Sequence, residues 1–181
     1  GQVTDGGKPA PGNMMIKKRA VFLGEDSDIF VEFLSENYRG PAEIIIYGAG
    51  LSNTLHHINI TGEVTRRSVR VKPLTPGEHR ITGFIVRSGD RIIAEGLSQD
   101  SIVATDKPIA ISQHMVATGR DNVLRVVVDV WNLASRPQNF VVVESTVPPG
   151  FKILDIEGNK ETDSYDMISS SKVAWYINTL P

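Results

Sequence analysis

The chain has no cysteine among its 181 residues. That removes disulfide frameworks, thiol nucleophiles and thiolate zinc sites together, and leaves the hydrophobic core to supply stability. The absence leaves the compartment open, because many prokaryotic surface proteins lack disulfides. No run of about 18 apolar residues occurs, so no segment reads as a membrane-spanning helix, and the start lacks the charged-then-apolar pattern of a signal peptide. Charge of either sign is nearly balanced, 19 Lys and Arg against 21 Asp and Glu, for a net charge of -2. Such a balance does not steer a polyanion, so nucleic acid is not an expected partner and charged recognition must be local. The start at Gly1 and the stop at Leu180-Pro181 read as a piece of a longer chain.

Hydrophobic residues make up 40% and charged residues 22%, the proportions of a folded globular protein. The length suits one large all-β domain or two sandwiches of roughly 80 to 100 residues each, and the internal signals favour two. Residues 1–13 carry Gly1, Gly6, Gly7, Pro9, Pro11 and Gly12 with little that is apolar, and read as a flexible leader. From Met14 onward short apolar runs alternate with turn residues at spacings of roughly 8 to 12, the rhythm of a sandwich or barrel. Strands are expected at 20–23, 29–34, 44–47, 57–60, 64–71, 79–86 and 91–95, with Ser88-Gly89-Asp90 as a tight hairpin.

Seven strands suit one immunoglobulin-like sandwich over residues 14–105. A polar stretch ending in Pro108 then reads as a short linker. A second sandwich is expected over 106–181, with strands at 109–115, 123–131, 140–144, 151–157 and 173–177 and a long polar hairpin over 158–171. The fold class read from the sequence is therefore all-β, two tandem immunoglobulin-like β-sandwich domains. Period-two alternation puts Leu124, Val126, Val128 and Val130 on the core face of their strand and Trp131 on the other. It also makes Trp175, between Val173 and Ile177, the candidate buried aromatic of the second domain.

Several segments carry a resemblance. They are Val126 to Asn132, Val141-Val142-Val143, Pro149-Gly150-Phe151 and the closing run from Val173 to Leu180. Residues 109–181 resemble through them the conserved immunoglobulin-like repeat of archaeal and bacterial cell-surface proteins. Residues 14–105 are similar to the adhesion-related (CARDB-like) modules of such proteins, with Leu74-Thr75-Pro76-Gly77-Glu78-His79 at the Pro-Gly turn before a long strand. The resemblance implies an extracellular or cell-surface location and a structural or adhesive role. It carries no catalytic residues, because these families share no active site.

Each candidate site has a plain alternative. Asp26 and Asp28, crowded by Glu25 and Glu32, and Asp155 and Glu157, crowded by Glu161, Asp163 and Asp166, are the calcium candidates; the alternative is a solvated acidic surface. No other cofactor is expected. Arg66, Arg70 and Lys72 share one strand face with Ser68 and form a basic stripe, suited to an acidic partner or to discouraging sheet-to-sheet aggregation. His56 and His57 are adjacent and point to opposite faces of a strand, so exposed or turn histidines are expected rather than a metal site. Asn59-Ile60-Thr61 is an N-glycosylation triplet at Asn59. Carbohydrate or protein recognition would need exposed aromatics, for which Tyr38, Tyr47, Trp131 and Tyr176 are the candidates. No phosphate loop or nucleophile elbow is present. The expected role is a non-catalytic spacer or protein-interaction module whose partners are other protein subunits or surface polymers. A carbohydrate- or protein-binding accessory domain of a larger extracellular enzyme or membrane complex is the alternative.

Overall fold

The computed structural model describes residues 8–159 and 162–181. Among them every regular element is a β-strand. The chain divides into two compact units, Gly1–Asp106 and Lys107–Pro181.

Unit 1 contains β1 (Ala10–Ile16), β2 (Ala20–Phe22), β3 (Ser27–Leu34), β4 (Gly40–Gly48), β5 (Leu51–Ser52), β6 (Leu55–Ile60), β7 (Val64–Pro73), β8 (Gly77–Ser88) and β9 (Arg91–Thr105). They hydrogen-bond in the order β5-β7-β3-β1-β9-β8-β4-β6, with β2 added to β9. β1 is the corner of this curled, sandwich-like arrangement. Its residues Gly12 to Ile16 run antiparallel to Phe33 to Ile29 of β3, while Ala10 and Pro11 run parallel to Ala94 and Glu95 of β9.

The leader expected over residues 1–13 does not hold for its last four residues. Residues 1–7 lie outside the described ones, and 10–13 are strand. The glycine that read as flexibility is a packing requirement: a Cβ at Gly12 would sit 2.5 Å from Phe84 Cζ and 3.1 Å from the Glu32 carbonyl oxygen. Backbone ladders on two sides order a segment that has few apolar side chains of its own.

Alternation then builds the core. In β3 the residues Ser27, Ile29, Val31 and Phe33 point inward and Asp28, Phe30 and Glu32 outward. Val69 and Val71 of β7 join them from the neighbouring strand, and Ile44, Ile46, Ile81, Phe84, Val86 and Ile102 from the rest of the unit. Each such side chain contributes about 1.5–3 kcal/mol on burial, which is what holds this disulfide-free all-β unit together. The run expected at 91–95 extends as one strand to Thr105, carried past the Gly83–Leu97 pair by a register shift against β8.

Unit 2 contains β10 (Ile109–Ala117), β11 (Leu124–Asn132), β12 (Gln138–Thr146), β13 (Ser164–Ser169) and β14 (Lys172–Leu180). β10 and β11 form a two-stranded sheet, and β12-β14-β13 a three-stranded one. Val128 and Val130 of β11 pack with Ile109 and Trp175 on Val141, Val143, Ile177 and Leu180. Trp131 lies on the opposite face of β11, paired across to Ala110.

The strand expected over 151–157 is absent. That segment is irregular, and its backbone is used singly: Ile153 N–H donates to Ser170 O, and Trp175 Nε1–H donates to Glu157 O at 3.0 Å. The run Pro148-Pro149-Gly150, with Gly150 at φ 89°, turns the chain away from a ladder just before it.

Candidate interaction surface

The outward faces of unit 1 carry most of the charged residues singled out above. On the β3–β7 face the register places Asp28 opposite Arg70, Phe30 opposite Ser68 and Glu32 opposite Arg66. Because side chains directly across antiparallel strands lie on one face, the acidic cluster and the basic stripe meet. Arg70 Nε is 3.2 Å from Asp28 Oδ1, Arg66 Nε bonds to Glu32 Oε2, and Lys72 Nζ lies 4.0 Å from Asp26 Oδ1. Lys17 Nζ lies 5.5 Å from the centre of the Phe30 ring and donates to Ser68 Oγ at 2.7 Å. Asp26 and Asp28, calcium candidates, and Arg66, Arg70 and Lys72, candidate anion contacts, are thus one ladder of ion pairs.

The other outward face, on β6, β4 and β8, holds a second charged row that the sequence reading missed. His57, Glu43 and Arg87 are consecutive across three strands. Glu43 accepts from Arg87 Nε at 3.1 Å and stands 3.7 Å from His57 Nδ1. These three, with Pro41, Ala42, Ser88, Gly89 and Asp90, line an open recess of about 460 Å³. Neither partner of Glu43 is near it in sequence, so only strand register brings the row together.

Tyr38 borders this recess. Its hydroxyl donates to the Pro41 carbonyl at 2.6 Å and is 2.7 Å from Ser88 Oγ, while the Arg91 guanidinium lies 5.8 Å from its ring centre. The ring is half-buried and one face is taken by a cation, so Tyr38 acts as a clamp between the β4 entry and the β8–β9 turn. Donors and acceptors alternate along the recess, an arrangement suited to a polar partner presenting both.

Next to this row the same face turns apolar. Tyr47 and Leu55 are 45% and 43% exposed, and Leu97, opposite Gly83 at the shift between β8 and β9, is 94% exposed. Asn59 shares the outward side of β6 with Leu55 and His57 and is exposed.

The remaining candidates lie apart. Asp155 and Glu157 are exposed on the irregular segment of unit 2; Asp155 Oδ1 accepts from Ile156 N–H, and Glu157 contributes its backbone carbonyl to Trp175. Glu161 lies outside the described residues. Trp131 and Tyr176 are half-buried. Among the described residues no three His, Asp or Glu side chains converge as a metal-ligand set.

His79 departs from the exposed or turn role expected of the histidines. It is buried, with Nδ1 3.1 Å from Ala49 O and Nε2 2.7 Å from Thr75 O, tying the turn after β4 to the turn before β8. Its signal was weak, because only the tertiary approach of two turns makes a polar ring worth burying there. Neither the protein-family models nor the curated proteins include a match to this chain.

Proposed function

We propose that the chain is a non-catalytic structural and adhesive module of a cell-surface or secreted prokaryotic protein, built from two tandem immunoglobulin-like β-sandwiches. It works as a spacer or as a protein-interaction domain. The observation that carries this reading is the succession of two all-β units, each with strands that bury one face and present the other to solvent. The resemblance of residues 109–181 to a surface-protein repeat adds location and role.

The recess at Glu43, His57 and Arg87 supports the alternative, a binding accessory domain. Within that alternative Arg91 lies over the Tyr38 ring, so Tyr47, exposed on the same outward face, is the aromatic available for a sugar to stack on. Labelling of intact source cells with an antibody against this chain, followed by protease shaving, tests the location. Surface labelling that shaving removes is the expected result; labelling only after lysis would overturn the proposal.

A further inference from the structure

Asn59-Ile60-Thr61 is the only Asn-x-Ser/Thr triplet in the sequence. In the fold, a period of two divides it between solvent and core. Asn59 and Thr61 are exposed, while Ile60 between them is 1% exposed and belongs to the core of unit 1. The apolar middle residue pins the triplet, and the amide and hydroxyl that flank it stand on the solvent side. Neither of these two side chains hydrogen-bonds within the described residues.

The backbone at Asn59 is open as well. β6 ends the strand order of its sheet, and among the described residues only β4 pairs with it. Ile46 N–H donates to Thr54 O at 2.8 Å, which fixes the phase of that ladder. The hydrogen-bonded positions are then Ile44 with His56, Ala42 with Ile58 and Gly40 with Ile60. Asn59 faces Pro41 between two of them, so its N–H and C=O point to the side where no described strand pairs. Pro41 lacks an N–H, and the ladder needs none from it here. Thr61 follows directly on the last residue of β6.

We infer that Asn59 is an acceptor site for an N-linked glycan. The donor is a lipid-linked oligosaccharyl diphosphate, and the enzyme that transfers the sugar belongs to the cell rather than to this chain. A bond forms between Asn59 Nδ2 and the anomeric carbon of the first sugar. The bond from that carbon to the diphosphate oxygen breaks, the diphosphate leaves with the electron pair, and the amide nitrogen gives up one proton. The Thr61 hydroxyl, two residues on, is the group by which the triplet is recognised.

The attachment point lies at the rim of the Glu43 recess. His57 is two residues from Asn59 on the same outward side of β6, about 7 Å along the strand, and Pro41, opposite Asn59, lines the recess. A bulky, solvated sugar at this point screens His57 and the open edge of β6. Edges of that kind otherwise invite pairing with another chain.

The inference rests on the exterior location proposed above, and its test lets the two fail separately. The full chain behind a signal peptide is secreted from a eukaryotic host that N-glycosylates exported proteins, and its mass is measured intact and after proteolysis. A mass raised by one glycan, located on Asn59, is expected. Thr61→Ala and Asn59→Gln should lose that glycan, and Thr61→Ser should keep it. Diethyl pyrocarbonate should then modify His57 more slowly in the glycosylated chain than in Thr61→Ala, while the exposed His114 of unit 2 reacts equally in both.

A secreted parent chain with a bare Asn59, or a glycan that survives in Thr61→Ala, would overturn the acceptor site. Equal labelling of His57 in the two chains would overturn the screening of the recess. Source cells that label only after lysis would overturn the location instead, whatever the secreted chain carries.

Discussion

Asp28 on β3 stands directly opposite Arg70 on β7, with Oδ1 3.2 Å from Nε, and the same register sets Glu32 against Arg66 four residues along. Both ion pairs are largely solvated, the Arg70 side chain being 72% exposed. A double-mutant cycle on Asp28 and Arg70 should therefore yield a coupling of only about 0.2–1 kcal/mol in urea unfolding, falling as salt is added. A coupling well above that range would mean that the ladder helps to hold β3 to β7 rather than only covering them.

Neutralising the acidic side of this ladder should expose the basic side. Asp26→Asn, Asp28→Asn and Glu32→Gln together remove three negative charges beside Lys72, Arg70 and Arg66. The triple variant is expected to be retained on a polyanion column at low salt, where the parent chain passes through. Equal elution of the two proteins would show that the arginines are not masked by their partners.

Gly83 and Gly96 bring three backbone segments together. A Cβ at Gly83 would overlap the Gly96 carbonyl oxygen, and one at Gly96 would lie 2.5 Å from Phe84 Cε1 and 2.7 Å from the Gly12 carbonyl oxygen. Gly83→Ala and Gly96→Ala should each cost about 3 kcal/mol, since backbone rather than a flexible side chain must move. Gly89 is the control: at φ 58° with nothing within 4 Å of its Cβ position, its alanine variant should lose about 1 kcal/mol. Chemical denaturation should find Gly83→Ala and Gly96→Ala less stable than Gly89→Ala.

The alternating residues of β3 and β11 made much of the all-β character legible, because a period of two assigns each residue a face before any partner strand is known. The face of Val128 and Val130 follows from that rule, as does the opposed placement of Trp131. Register does not follow from it. Glu43 could meet Arg87 and His57, or Asp28 meet Arg70, only after strands distant in sequence had paired. β1 was hidden for a different reason. Its glycine and proline looked like a leader, yet its order comes from ladders on β3 and β9 and from the close approach of Gly12 to Phe84. The segment 151–157 misled in the opposite direction, being apolar enough for a strand while its backbone pairs only at single points.

His79 should be a stability residue. Replacing it with Leu removes the ring N–H that one of the Ala49 and Thr75 carbonyls accepts from, at about 1–3 kcal/mol for a group that water cannot reach. Gly50→Ala should act on the same contact, since its Cβ would lie 2.7 Å from His79 Nδ1. His57→Ala, at a side chain 79% exposed, should change stability by less than about 0.5 kcal/mol. Urea unfolding followed by tryptophan-independent circular dichroism separates these outcomes, and a near-neutral His79→Leu would mean that the two turns are held by something other than the ring.

The two units should differ in resistance to opening. Unit 1 buries a cluster that includes Ile29, Val31, Phe33, Ile44, Ile81, Phe84 and Ile102, all at 1% exposure or less, whereas the cluster of unit 2 rests on Val141, Val143, Ile177 and Leu180. Opening free energy follows buried apolar area, so amides of β3, β4 and β8 should exchange at or near the global unfolding rate. Those of β10, β11 and β13 should exchange at least about tenfold faster, because a cluster of four residues opposes their opening with less buried area. Phe33→Ala, expected to cost about 3–5 kcal/mol, should accelerate exchange in unit 1 and leave the β11 and β13 rates unchanged. Equal protection of Val31 and Val128 amides in the parent chain would show that the smaller cluster does not set the stability of the second unit.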